Sequence, residues 1–173
     1  MSDNFNTSRL ILDPLHPADA TFMLELVNSD GWIRFIGNRN IKNSANAMIY
    51  VDKLRKDPNV RCWTVKLREE KTPVGTITFI KRKYLDYHDI GFAFLPEYNG
   101  RGYAEEAASA VMTHFRLDPE HPRILATTLR ENENSIRLLK KLGLEFEREI
   151  LVEKETLLLF GVDTDIELLQ ALP

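Results

Sequence analysis

The stretch Phe94-Leu95-Pro96-Glu97-Tyr98-Asn99-Gly100-Arg101-Gly102-Tyr103-Ala104 decides how this chain is read. A β-forming run ends at Leu95, two glycines bracket Arg101, and a helical pattern begins at once. Ala104, Ala107, Ala108, Val111, Met112 and Phe115 fall on one face of a helix over Gly102 to Arg116. The first turn of a helix leaves backbone N–H groups unpaired, and the aligned peptide dipoles place partial positive charge there. Glycines let an anion approach that backbone, and Arg101 adds a formal charge. Strand, glycine turn and helix together predict a pyrophosphate site. A P-loop would need Lys and then Ser or Thr after its last glycine, whereas Tyr103-Ala104 follows Gly102. A Rossmann fingerprint would need three glycines beside the first strand. Neither signature fits.

Upstream, Thr7 to Asp13 reads as a strand, with Leu10 and Leu12 on one side and Ile11 on the other. Asp19 to Val27 spaces Phe22, Met23, Leu26 and Val27 as a helix, interrupted at Asp30-Gly31. A second helix is expected over Ser44 to Arg55, with Ser44 as cap and Ala47, Met48, Val51 and Leu54 buried. Between them, Gly31 to Asn43 shows no clear period. Arg61 to Leu67, Pro73 to Lys81 and Tyr87 to Leu95 are strands joined by polar turns, which argues for antiparallel hairpins. Downstream, Arg123 to Leu129 is a strand, and Asn134 to Leu142 is a helix closed by Gly143. Leu144 to Val152 and Thr156 to Val162 pair as strands, and Thr164 to Leu172 reads as a short terminal helix. The order βααβββαβαββ predicts one α+β domain over residues 1–173, a mixed sheet of about seven strands with about four main helices.

Composition narrows the function. Of 173 residues, 43% are hydrophobic and 28% charged, which excludes wholesale disorder. The net charge of −3 argues against a phosphate-backbone binder, so no direct nucleic-acid partner is expected. Cys62 is the only cysteine, which excludes an internal disulfide and a thiolate zinc cluster. It reads as a buried small hydrophobe. His16, His88, His114 and His121 lack metal-ligand spacing, so no metal is expected, and His88 reads as a surface residue. The amino terminus lacks a signal-peptide pattern and no run approaches ~18 apolar residues, so a cytoplasmic protein without a membrane partner is expected.

Asn99 to Ala104, with Glu105-Glu106-Ala107 behind it, resembles the acetyl-CoA pyrophosphate loop of the GCN5-related N-acetyltransferases, the GNAT family. That loop is written Gln/Arg-x-x-Gly-x-Gly/Ala. Gly102 and Ala104 match its last two defined positions, and Asn99 stands where a long Gln or Arg is usual. Asn132-Glu133-Asn134-Ser135, followed by Leu138 to Glu145, resembles the family's Asn-x-x-Ser…Leu-x-Lys-x-Gly-Phe segment. Arg9-Leu10-Ile11-Leu12 and Pro73-Val74-Gly75 are similar too. The resemblance runs from Thr7 to Val162, and is to the RimJ/RimL-like branch that acetylates ribosomal-protein amino termini and includes enzymes acting on small amines.

The resemblance implies an acetyl-CoA cosubstrate held by Asn99, Gly100, Arg101, Gly102, Tyr103 and Ala104, with Asn132 reaching toward the pantetheine arm. A backbone N–H at Phe94 or Leu95 would take the acetyl oxygen, and Lys140 is a candidate for the CoA 3′-phosphate. The acceptor would be a primary amine, a protein amino terminus or a small molecule, walled by Trp32, Arg34 and Phe35. Glu97 is the first candidate base, with Asp89 as an alternative. Many family members carry a Tyr acid seven residues after the Asn. Leu139 occupies that place, which leaves Ser135 to hydrogen-bond or protonate the departing thiolate. Leu139 also keeps open a second reading, a CoA-binding module that senses acyl-CoA without turnover. Asn132 and Ser135 have a plain alternative as helix caps, Trp32 and Phe35 as core, and Glu97 as a solvated carboxylate. Monomer and homodimer both fit.

Overall fold

The computed structural model describes residues 4–164. Its strands are β1 (Phe5–Asn6), β2 (Leu10–Pro14), β3 (Val60–Leu67), β4 (Pro73–Ile80), β5 (Asp89–Phe94), β6 (Arg123–Thr128), β7 (Glu145–Val152) and β8 (Glu155–Asp163). The helices are α1 (Ala20–Val27), α2 (Asp30–Phe35), α3 (Ser44–Lys56), α4 (Tyr103–Arg116) and α5 (Glu133–Lys141). Short 3-10 turns stand at Pro17–Asp19 and Pro96–Tyr98.

The strands form one mixed sheet in the order β1-β2-β3-β4-β5-β6-β8-β7. All neighbours are antiparallel except β5 and β6, which the α4 connection joins as a parallel pair. The apolar stripe of α4 buries Ala107, Ala108, Val111, Met112 and Phe115 against Trp63, Ile77, Phe79, Ile90 and Ile124 on one face of the sheet. Leu139 of α5 joins the same core. The opposite face carries a second core beneath α1 and α3, in which Phe22, Met23, Leu26, Ala47 and Val51 pack with Trp32 and Leu95. The central strands are therefore covered on both sides, and Trp63, Thr64 and Val65 are buried in succession.

Among the described residues, eight strands and five α-helices stand where about seven and four were expected. The Thr7–Asp13 run begins as a turn, closed by Thr7 N donating to Leu10 O at 3.0 Å, so the strand starts at Leu10 and Phe5–Asn6 pairs back onto it. Asp30-Gly31 does not break a helix but opens α2. The break falls at Asn28, whose side chain donates to Leu24 O and Ile41 O and so halts α1. Asn43, not Ser44, caps α3 by accepting from Asn46 N at 2.9 Å. Met48 is 59% exposed because only Ala47 and Val51 of the expected stripe face α1 fully. The expected terminal helix lies outside the described residues.

His88 is no free surface histidine. Its ring stacks on Phe79 at 4.9 Å and meets the edge of His121 at 4.7 Å. Burial, with His121, Lys81 and Arg61 nearby, pushes its pKa down to about 4. The unfolded chain then holds more protons than the folded one between about pH 6.5 and 4, so stability falls as pH drops through that window. His88→Phe keeps the stacking and removes the titration. Urea unfolding from pH 7 to 4.5 should show a shallower loss of stability in this variant than in the parent.

Candidate active site

The parallel pair is joined at one point. Asp89 pairs with Leu125, and Leu125 N donates to His88 O at 2.9 Å. Beyond it β5 continues along β4 and β6 along β8, and the two strands part. Leu95 N donates to Val74 O at 2.9 Å, so Leu95 turns its backbone toward β4. Backbone direction alternates along a strand, so Phe92 and Phe94 turn their N–H groups toward the opening, where no strand partner stands. Of the predicted pair Phe94 and Leu95, only Phe94 therefore offers a donor. Leu95 is bonded to Val74, and its side chain is buried in the second core.

The opening leads to the glycine turn. Gly100 at φ 74° and Gly102 at φ 78° hold left-handed conformations that cost another residue roughly 1–2 kcal/mol. Gly102 is the N-cap of α4 and no side chain caps this helix. Glu106 N reaches Gly102 O at 3.0 Å, which leaves the N–H groups of Tyr103, Ala104 and Glu105 free of intrahelical partners. Arg101 is exposed beside them, with its guanidinium 5.6 Å from the Tyr98 ring centroid. Exposed Asn99 begins the turn. Donors, dipole and charge fit a pyrophosphate.

A brace that the sequence did not reveal fixes this turn. Glu106 accepts from Thr7 Oγ1 at 2.6 Å, Ser8 Oγ at 3.1 Å, Arg9 N at 2.9 Å and Arg9 Nε at 2.6 Å. Arg9 Nη1 in turn donates to Arg101 O at 3.0 Å, and its guanidinium lies 4.7 Å from the Tyr103 ring. Partial burial would raise the Glu106 carboxyl, but the bonds from Thr7, Arg9 and Ser8 outweigh it and hold the pKa below its ordinary value.

α5 starts on the far side of the opening. Asn132 caps it, its Oδ1 accepting from Ser135 N at 3.2 Å, so the plain reading of Asn132 holds. Its amide Nδ2 is not used by the cap. Ser135 is half-buried in the first turn. Leu139 is 1% exposed in the core, so it is a packing residue and has no access to the opening. Lys140 is exposed, while Lys141 pairs with Glu105 of α4 at 3.0 Å.

Glu97 is exposed in the 3-10 turn between β5 and the glycines. Asp89 cannot serve as the alternative base. It lies at the opposite end of β5, 2% exposed, and accepts from Arg82 Nε at 2.7 Å. Trp32 belongs to the second core, whereas Arg34 is exposed and stacks over half-buried Phe35 at 4.9 Å. Burial, with Asp19 nearby, pushes the Cys62 thiol up to about 12, so it is no nucleophile. Among the described residues no group of His, Cys, Asp or Glu is placed to hold a metal, and no helix is long and apolar enough to cross a membrane.

Residues 9–145 match the acetyltransferase (GNAT) domain family. The uncharacterized N-acetyltransferase YnaD of Bacillus subtilis (strain 168) is 30% identical over 144 residues, 83% of this chain and 84% of the relative. A GNAT-family acetyltransferase from Bacillus anthracis has the same fold at TM-score 0.81, with 23% identity over 94% of this chain and 99% of that one. RimL, a ribosomal L7/L12 α-N-protein acetyltransferase solved with coenzyme A, is similar at TM-score 0.78 and 13% identity, again over 94% and 99%. The chain belongs to the GNAT family and is an N-acetyltransferase.

Gly102→Val tests the cradle. A β-branched residue at φ 78°, with its Cβ 3.3 Å from Arg9 Nη2, must disturb the turn. Calorimetry should show acetyl-CoA affinity falling by about tenfold or more, roughly 1.4 kcal/mol, with the secondary structure retained.

Proposed function

We propose that the chain moves the acetyl group of acetyl-CoA to a primary amine, a peptide amino terminus or a small-molecule amine, by direct attack on the thioester. The observation that carries this reading is the opening between β5 and β6, with the Phe94 N–H turned into it below the uncapped start of α4. In this reading the glycine turn, from Asn99 to Ala104, binds the pyrophosphate with Arg101 beside it. Asn132 Nδ2 donates to the pantetheine arm and Lys140 meets the 3′-phosphate. Phe94 N–H polarises the acetyl carbonyl, where a preorganised donor is worth most. Arg34 and Phe35 line the acceptor's approach.

The amine must arrive neutral. A lysine-like ammonium of pKa about 10.4 is neutral about once in 2,500 molecules at pH 7, a cost of roughly 4.6 kcal/mol. A peptide amino terminus of pKa about 7.7–8.0 costs only about 1–1.4 kcal/mol. Glu97 takes the proton, the nitrogen bonds to the carbonyl carbon, and the carbon–sulfur bond breaks. The Ser135 hydroxyl then hydrogen-bonds the departing thiolate, relaying a proton from water. The high Cys62 pKa supports attack without a thiol acyl-enzyme.

A second reading, acyl-CoA sensing with little turnover, draws on Leu139, buried where many family members carry a Tyr acid. Release of free CoA with a panel of peptides, polyamines and amino acids separates the two. Glu97→Gln should lower kcat/KM at pH 7 by about 10²-fold or more, with acetyl-CoA affinity nearly unchanged. The loss should shrink as pH rises and should be smaller for a peptide amino terminus than for a lysine-like amine. Full activity at every pH would remove Glu97 from the mechanism.

A further inference from the structure

The opening has a second face. On β5, Ile90, Phe92 and Phe94 pack with the core beneath α4, whereas Ala93 and Leu95 pack with the core on the other side. Asp89, Gly91 and Ala93 thus share the face turned away from α4. Gly91 and Ala93 keep that face low and are only half-buried, and a Cβ on Gly91 would meet Thr78 Oγ1 at 2.7 Å. This half-buried strip leads along β5 from Ala93 to Asp89, where β5 meets β6.

Polar side chains from separate elements gather at the closed end. Arg82 Nε donates to Asp89 Oδ2 at 2.7 Å, and Asp89 Oδ1 is buried without a hydrogen-bond partner. Tyr84, from the same connection between β4 and β5, reaches Thr127 of β6 across the junction. Tyr50 of α3 faces both Arg39 and Arg82. Burial favours the neutral form of Asp89, and the charge of Arg82 opposes this. The carboxylate engages Arg82 at Nε, which leaves its other guanidinium donors for a ligand, and the side chain is 34% exposed. Arg39 adds a second positive charge against the single carboxylate. This end of β5 is therefore cationic and rich in donors, and the buried carboxyl group of Asp89 holds Arg82 in place.

We propose that this cluster binds an acidic group on the acceptor, so that the preferred acceptor is an amine that also carries a carboxylate or phosphate. The inference rests on the reading that the amine attacks within the opening beside Phe94. Asp89 and Phe94 stand five residues apart, about 16 Å along a strand, and the arginine side chains shorten that span. It matches an acidic side chain at the second or third residue of an extended peptide, whereas the far carboxylate of a small amino acid lies too close to its own amine to reach the cluster. Asp89 acts as a positioning residue for Arg82.

Calorimetry on the CoA-loaded protein measures this without turnover. The probe pair is Ala-Glu-Glu-Ala-amide against Ala-Gln-Gln-Ala-amide, with glutamate against glutamine as a control too short to reach from the opening to the cluster. The acidic peptide should bind about tenfold tighter, the size of one charge-assisted hydrogen bond, and glutamate should show no such preference over glutamine. Arg39→Glu, a surface change that leaves no buried charge unpaired, should abolish the preference and leave CoA affinity unchanged. Equal binding of the two peptides overturns the proposal, as does a preference that survives Arg39→Glu combined with Arg82→Gln. If the acidic probe binds but releases no CoA from acetyl-CoA, direct transfer fails and the anion site stands.

Discussion

A parallel strand pair held at one point is the constraint on which the site depends. Had β5 and β6 stayed paired, the N–H groups of Phe92 and Phe94 would be consumed by the sheet, as that of Leu95 is by Val74. Their separation creates an edge inside the sheet. Such an edge normally invites another strand, and here it is flanked by the amino-terminal ends of α4 and α5. The two helices pack over one core, so the opening has firm walls on that face. An extended molecule with an acyl carbonyl and a phosphate end meets unpaired donors at both of its polar points.

Glu106 supplies the second requirement, rigidity at the turn. Glycines that adopt left-handed conformations are also free to leave them, so a loop chosen for close approach is loose unless held. The Thr7–Arg9 turn, gathered on one carboxylate, presses Arg9 against Arg101 O and the Tyr103 ring. The amino-terminal turn therefore fixes the glycine turn, although it lies far from it in sequence.

What the sequence disclosed divides along the same line. The α4 stripe, the glycine turn and the central strands were legible because local spacing carries them, whereas the Asn132 segment was legible only through its resemblance to the family. α2 was missed because six residues with Trp32 in the core and Ile33 and Arg34 outside show no period that a short window can detect. The strand Phe5–Asn6 is two residues long, and only its pairing with β2 defines it. Glu106 and Arg9 stand 97 residues apart, and their bond leaves no local mark. Asp89 read as a candidate base because its strand was right, and its pairing with Arg82 was not visible. Trp32 and Leu95 read as site residues, but the second core claims both side chains.

The strand order has a consequence for how the chain comes together during synthesis. From β1 to β6 each strand lies beside its predecessor, so a chain emerging amino end first can add strands one at a time. The last two break that sequence. β8 takes the place beside β6, and β7, made earlier, must wait for it. Until Glu155–Asp163 has been synthesised, the far edge of β6 has no partner and Ile124, Leu125 and Ala126 lack their final cover. The nascent chain is thus most exposed to adhesion at an edge just after its glycine turn and α4 have been made.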